Sequence, residues 1–589
     1  YFVQAKGWLA GRSDFLPSAL DTALGRGHPF HRRVFEPLCF GALSTPRHAR
    51  QLAARALGDL PFLNGGLFER HRLERRFPYA TLPNDAWREL FDGLFERFHF
   101  TAREDGDGDA VDPEMLGRVF EGLMGETERR TSGTYFTPRS LVRELVERAL
   151  AAAGVRDDQR AIESIRILDP AVGSGAFLLE ALHQLERARG PLRAGESTAA
   201  RRRAIVRDNL FGVDADPMAV RLAELRLWLA MVVDDDATPA DVAPLPNLDW
   251  NVRQGDSLLS PLDGAGWAAS SQQARVRSVA ERKTRFYVSS GRDKAALARA
   301  IRGDERVLAL AAVDGEAAAL TSRIADAASV AGRDLFGARA RRAPVTERRV
   351  AGWRRRRHEL VALRRRVVED EALPFFSYAI HFGEAAASGG FDVILGNPPW
   401  VRGEALPASL RTALTRRYAA WRATGRAGFA HVPDLSVAFV ERALELVRPE
   451  GVVAFLLPAK LLRAGYAAPL RALLRREATV LSLGDRAHAG ESGFAATVFP
   501  MTLVVRRRAP APDLAAEVTI LGATGRTIQG AAAQRDLALA ETPPGAPWLA
   551  LPSDLVHAVR NALASGPALR NRFRPTLGVK TGANEVFVR

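Results

Sequence analysis

Ile167-Leu168-Asp169-Pro170-Ala171-Val172-Gly173-Ser174-Gly175-Ala176-Phe177 is the stretch on which the reading of this chain turns. An apolar strand runs into an acid, a proline and a Gly-x-Gly turn, and a helix is predicted over 178–185. Glycines in such a turn let the backbone approach a ligand closely at the carboxyl end of the first strand, where open α/β sheets bind cofactors. The third glycine of the dinucleotide fingerprint is absent and no Lys-Ser/Thr pair opens the helix, so neither a nicotinamide site nor a P-loop fits.

Outward from this turn, β-rich runs at 165–168 and 210–213 alternate with amphipathic helical sequence at 138–152 and 218–231. That alternation is the signature of a parallel, doubly wound sheet. It gives way at 263–372 to Ala- and Arg-rich helical sequence, then resumes at Phe391-Asp392-Val393-Ile394-Leu395 and at 452–457, 479–483 and 497–505. The helical block is therefore an insertion inside one α/β domain. Five segments are predicted: an N-terminal helical domain over 1–125, the first part of the α/β domain over 126–262, the insertion over 263–372, the second α/β part over 373–508, and a loop-rich remainder over 509–589. The acidic run at 104–109 lacks the glycine placement and terminal Glu of a calcium loop and reads as solvated.

At 589 residues the chain exceeds a single core, since cores stop growing near ~250–300 residues. Its 47% hydrophobic and 26% charged composition is globular, and no run of about 18 apolar residues offers a membrane helix. One cysteine, Cys39, excludes a disulfide framework, a multi-cysteine zinc site and an iron–sulfur cluster; the expectation is a cytoplasmic protein with no metal. Tyr1-Phe2-Val3-Gln4-Ala5-Lys6 has neither an initiator Met nor a signal-peptide layout, so residues are expected upstream. The net charge of +15 is concentrated, with 24 Lys+Arg against 12 Asp+Glu in 271–370. Only five of the 83 basic residues are Lys, so the chain favours Arg throughout, and charge alone leaves a phosphate-contacting surface and a solvated helical face equally open.

Phe211-Gly212-Val213-Asp214-Ala215-Asp216-Pro217 places an acid at the next strand end, where a carboxylate accepts both ribose hydroxyls of a nucleoside. An extra helix over 199–209 accounts for the long spacing from Gly173. Gln254-Gly255-Asp256-Ser257 ends a third strand with an acid suited to an adenine amino group. Each acid alone fits a helix cap equally well; three at successive strand ends make a nucleoside pocket the better reading. Gly396-Asn397-Pro398-Pro399-Trp400 follows the strand at 391–395 directly. Its prolines stiffen the turn and leave carbonyls without a competing local N–H, Asn397 adds an amide oxygen, and Trp400 adds a flat apolar face. An aromatic amine fits, with its hydrogens accepted by Asn397 and the Pro398 carbonyl and its ring stacked on Trp400, a contact worth ~1–3 kcal/mol per base. The bland alternative is a strand-ending turn with a core Trp. An indole packed into the interior, or two halves of the cavity facing apart, would take away the pocket and the enzyme reading with it. Cytosine-5 chemistry needs a nucleophilic Cys in the pocket, and Cys39 lies far from the Asn397 strand.

These residues, in this order, resemble the γ-class amino-methyltransferases of DNA, the large adenine-specific enzymes of restriction–modification and phage-defence systems such as the type IIG and PglX-like families. The resemblance covers roughly residues 60–589. Besides the runs above it rests on Gly133-Thr134-Tyr135-Phe136-Thr137-Pro138, Asn64-Gly65-Gly66-Leu67-Phe68-Glu69, Pro113-Glu114-Met115-Leu116-Gly117, Asp434-Leu435 and the stretch 494–502. It implies a Rossmann-like class I methyltransferase sheet with S-adenosylmethionine as cofactor, double-stranded DNA as substrate, other subunits of a defence system as partners, and no membrane. Carried over, it implies that Thr134, Tyr135, Phe136, Thr137, Pro138, Asp169, Pro170, Gly173, Gly175 and Phe177 line the cofactor site. Asp214 would hold the ribose and Asp256 the adenine amino group. Asn397, Pro398, Pro399 and Trp400 would be catalytic and hold the target base, with Phe494 or Phe499 over its other face, and Arg354, Arg355, Arg356 and Arg357 on DNA. The family more often has Tyr or Phe where Trp400 stands. In these terms 126–262 is the cofactor half, 373–508 the target-base half, and 509–589 the start of a target-recognition region. The implied reaction is methylation of the exocyclic N6 amino group of an adenine extruded from the duplex. Methylation of a cytosine amine, an RNA adenine or a glutamine amide remains open at this point. So do the methyltransferase part of a combined restriction endonuclease–methyltransferase and a DNA-binding defence component that needs partners.

Overall fold

The computed structural model describes residues 1–64, 68, 70, 72–100, 110–111, 115, 117, 137–155, 159–190, 195–232, 238, 241–242, 244–262, 272–329, 344–370, 372–422, 432–486, 499–521, 526–538 and 543–565. Nine strands form one sheet: β1 (Ile167–Asp169), β2 (Leu210–Asp214), β3 (Val252–Gln254), β4 (Phe391–Gly396), β5 (Val447–Pro458), β6 (Thr479–Asp485), β7 (Pro500–Arg506), β8 (Ala515–Leu521) and β9 (Thr527–Ala533). Their spatial order is β9-β8-β6-β7-β5-β4-β1-β2-β3. Strands β3, β2, β1, β4 and β5 are mutually parallel, and β7 is antiparallel to both its neighbours, β5 and β6. The order reverses between β1 and β4, which opens a crevice at their carboxyl ends, the place where doubly wound sheets hold ligands.

The strands are apolar on both faces because both are covered. Ile167, Val393, Leu395, Val452, Ala454 and Leu456 join one core cluster, while Leu168, Ile394, Val453, Phe455 and Leu457 join the other. The first face is covered by α1 (Arg139–Ala152), α2 (Ala176–Arg189), α3 (Thr198–Asn209) and α4 (Pro217–Val232). Each fully buried Leu, Ile or Val is worth about 1.5–3 kcal/mol, so two such layers fix the strand register.

The insertion is a helical bundle with its own core: α5 (Gln273–Tyr287), α6 (Gly291–Ser329) and α7 (Pro344–Glu369) enclose Val279, Phe286, Ile301, Leu308, Leu360 and Val367. It is anchored to the sheet domain by Lys283, whose Nζ donates to the His381 carbonyl and to Glu384, and by the Arg253–Glu305 ion pair at 2.9 Å. The second sheet face is covered by α8 (Leu435–Leu446) and α9 (Ala468–Glu477). The described residues up to Phe95 form short helices around an aromatic cluster of Phe30, Trp87 and Phe91. They meet the sheet domain where the Leu245 amide donates to the Leu63 carbonyl, and the insertion where Asn64 donates to the Ser289 carbonyl.

One expectation is corrected. Residues past Arg508 do not begin as a loop-rich remainder, since β8 and β9 extend the sheet and pair with each other in register from Ala515↔Ala533 to Leu521↔Thr527. Thr527-Ile528-Gln529-Gly530-Ala531-Ala532-Ala533 is rich in small residues of low strand propensity, so its pairing is imposed by the sheet edge. The acidic run at 104–109 and the final segment at 577–584 lie outside the described residues. Among the described residues no helix is long and apolar enough to cross a membrane, and no group of His, Cys, Asp and Glu is placed to hold a metal.

Candidate functional site

The turn after β1 needs its glycines for two different reasons. Gly175 has φ +85 and presses against α4, so a Cβ there would lie 3.1 Å from the Ala223 Cβ. Gly173 has φ +50, and its Cβ would meet only the Ala171 carbonyl, at 3.9 Å, which leaves this position open for a ligand. Asp214, at the tip of β2, receives the Gly173 amide on Oδ2 and the Asp216 amide on Oδ1, both at 2.9 Å. Each carboxylate oxygen keeps a second lone pair, so Asp214 shapes the turn and still has acceptors for a diol. Burial raises its pKa. Exposed Asp256 closes a local turn through Oδ1, which accepts from the Leu258 and Leu259 amides at 2.9 and 3.0 Å, with no helix directly following it. Pro170 is buried, and its carbonyl accepts from Ser257 Oγ at 2.6 Å. The Phe177 ring lies in the core cluster behind the turn.

Asp169 and β4 meet across the crevice. Gly396, buried and at φ +150, lies so close that a Cβ there would fall 2.6 Å from Asp169 Oδ1. Asp169 is fully enclosed, and burial pushes its pKa up to about 8 despite the Ala171 amide on Oδ1. One residue on, Asn397 donates from Nδ2 to Thr137 Oγ1 at 3.0 Å, while its Oδ1 is buried without a hydrogen-bond partner among the described residues. Beyond the prolines the chain pairs with the start of α8. Arg402 bridges Asp434, and the Leu435 amide donates to the Val401 carbonyl at 2.8 Å. Buried Asp434 caps α8 through Ser436 and forms an ion pair with Lys460 at 3.1 Å, just past β5. Lys460 escapes a reading of the sequence because its partner is set by the fold and not by spacing.

The tips of β1 and β4 thus lie against each other, Gly396 on Asp169. The indole does not meet its expectation: Trp400 is 6% exposed and belongs to the core cluster on the α1–α4 face. A tryptophan shortly past a buried strand end is apolar enough to finish the core, and sequence alone cannot say which way it turns. Trp400 therefore does not supply the stacking face expected of it. Phe499 is 54% exposed, and its carbonyl accepts from the Ala459 amide, which places it at the same end of the sheet. Arg354, Arg355 and Arg357 are exposed on α7. Arg356 is corrected: it turns inward to Glu316, at 2.8 Å, and to the Pro261 carbonyl, so it staples the insertion to the sheet domain. Thr134, Tyr135, Phe136 and Phe494 lie outside the described residues; Thr137 and Pro138 lead into α1.

A doubly wound sheet with one antiparallel strand, β7, inserted between the parallel strands β5 and β6 is the Rossmann-like sheet of the class I methyltransferase fold. Residues 111–261 match the family model described as N-6 DNA Methylase, and residues 208–488 match Eco57I restriction-modification methylase. Each of these two matches covers less than half of the chain. It is 27% identical over 504 residues to RM.MjaORFECS2P of Methanocaldococcus jannaschii, named as a type II restriction enzyme and methyltransferase, covering 73% of this chain and 41% of that protein. It is 30% identical over 183 residues to the adenine-specific methyltransferase PglX of Streptomyces coelicolor, covering 28% of this chain and 15% of the relative. The structure of the type IIL restriction-modification enzyme MmeI in complex with DNA aligns with a TM-score of 0.49 at 13% identity, over 90% of this chain and 55% of that one. The chain spans about two fifths of the length of the M. jannaschii relative.

Proposed function

We propose that this protein transfers a methyl group from S-adenosylmethionine to the N6 amino group of adenine in duplex DNA, as part of a restriction–modification or phage-defence system. The observation that carries the reading is Asn397 at the tip of β4, its amide oxygen buried and unmatched among the described residues, one residue from the contact between Gly396 and Asp169. A buried acceptor without a donor is costly in the free protein, and an incoming amine offsets that cost. The cofactor supplies an electrophilic methyl on a sulfonium. The open face of Gly173 and the spare lone pairs of Asp214 fit the nucleoside end of such a ligand. Asn397 Oδ1 and the Pro398 carbonyl accept the two amine hydrogens and draw the nitrogen toward tetrahedral geometry, so its lone pair is freed from the ring. Positioning and preorganised acceptors supply the rate gain. Phe499 is the exposed aromatic on the rim against which an extruded base stacks. Exposed Arg354, Arg355 and Arg357 contact backbone phosphates.

The test is transfer of tritium from labelled S-adenosylmethionine to duplex DNA. Asn397→Ala should lower turnover by about 10²–10³-fold, the scale for losing one preorganised partner of the reacting group, while cofactor affinity holds. Near-normal turnover would overturn the reading. A second reading, the methyltransferase part of a combined restriction endonuclease–methyltransferase, is favoured by the name of the M. jannaschii relative, of which this chain spans 41%. Cutting of the same DNA on adding Mg²⁺ selects it; methylation without cutting selects the first.

A further inference from the structure

We infer that Thr137 is a positioning residue for methyl transfer, which fixes the amide of Asn397 so that its oxygen, and not its nitrogen, meets the target amine. The inference rests on the methylation reading above and assigns Thr137 a role other than lining the cofactor site.

A primary amide has an acceptor end and a donor end of nearly equal size. Only one of its two orientations is productive toward an amine whose hydrogens need acceptors; the reverse presents two N–H groups to it. The stiff Gly396-Asn397-Pro398-Pro399 backbone sets where the amide sits but not which end faces the crevice. Across 260 residues of sequence, Thr137 Oγ1 takes the Asn397 Nδ2 hydrogen at 3.0 Å, leaving Oδ1 as the buried end without a partner among the described residues. A hydroxyl held on a mobile loop would do little. Thr137 instead precedes Pro138, which restricts its backbone to extended conformations, and Pro138 is the N-cap of α1. That helix is locked on the sheet by buried Val142, Leu145, Val146 and Ala149, by the Arg486–Glu144 ion pair at 2.6 Å, and by Arg506 donating to the Ala152 carbonyl at 2.6 Å. The orientation of the amide is therefore referenced to the rigid sheet.

The experiment compares wild type with Thr137→Val, which keeps the shape and removes the hydroxyl, and Thr137→Ser, which keeps the hydroxyl. Measured are kcat for duplex DNA at saturating S-adenosylmethionine, the Kd of S-adenosylmethionine by equilibrium binding, and the Asn397 amide contacts in crystal structures. Thr137→Val should lower kcat about tenfold, the loss of one hydrogen bond's bias between two orientations, with Kd changed by less than about twofold. Thr137→Ser should restore kcat, and the Asn397 amide should lose its wild-type hydrogen-bond orientation only in the valine variant. Thr137→Ala serves if valine melts early. A kcat that stays normal while Kd weakens makes Thr137 a cofactor contact and overturns the inference; so does an amide that keeps its orientation in the valine variant. A wild type that methylates no DNA sinks the methylation reading instead, and the crystallographic comparison still decides whether Thr137 orients the amide.

Discussion

Gly396 shows how much of the site hangs on a single missing methyl group. Its φ of +150 is open to glycine and strained for other residues, and a Cβ would fall 2.6 Å from the Asp169 carboxylate, an acid with no room to retreat. We expect Gly396→Ala to destabilise the protein by about 1–3 kcal/mol, the cost of a residue held in a sparsely populated region, and to lower turnover by displacing Asn397. Urea unfolding together with tritium transfer checks this; unchanged values for both would mean that the strand tip yields freely. At this scale the sequence was legible where the backbone demands a residue type. Gly173 and Gly175 announced their place, a turn at positive φ. Trp400 did not, because an indole serves a core and a stacking face equally well and only packing chooses between them.

Among the elements, α7 carries two kinds of arginine one position apart. A helical period sends Arg354, Arg355 and Arg357 outward and turns Arg356 toward Glu316 and the sheet domain. Replacing the three outer residues by Gln should leave the melting temperature nearly unchanged and flatten the salt dependence of DNA binding, by about one unit of log–log slope for each phosphate no longer neutralised. Arg356→Ala should do the opposite and lower thermal stability with little change in slope. If all four substitutions act alike, the helix face is merely solvated. The sequence found the insertion by its change of period and charge. The edge strand β9 escaped because its small residues carry little strand preference of their own, and its order comes from pairing with β8, which in turn pairs with β6.

For the whole molecule, the pH dependence of stability follows from acids enclosed by the fold. Burial pushes Asp169 up to about 8 and Glu224 up to about 7. In the unfolded chain both ionise near ~4, so between that value and the folded pKa the native state holds protons that the unfolded state has released. Stability from these groups is complete below about pH 4 and is lost progressively as pH rises toward about 7 for Glu224 and about 8 for Asp169. Asp169→Asn should remove part of this slope, up to about 1.4 kcal/mol per pH unit between about pH 5 and 8, as read by urea unfolding at several pH values. Parallel curves for wild type and variant would show that the carboxyl is not held neutral. The sequence by itself determined the sheet class, the interruption by a helical insertion, and where the central strands end, because hydrophobic period, glycine turns and prolines act over a few neighbouring residues. Only the tertiary structure decided that Thr137 holds Asn397 across 260 positions, that Asp169 walls in Gly396, that Lys460 pairs with Asp434, and that Trp400 turns inward. Those contacts join strands and helices distant along the chain, and what brings them together is the burial of both faces of one sheet, which no local pattern records.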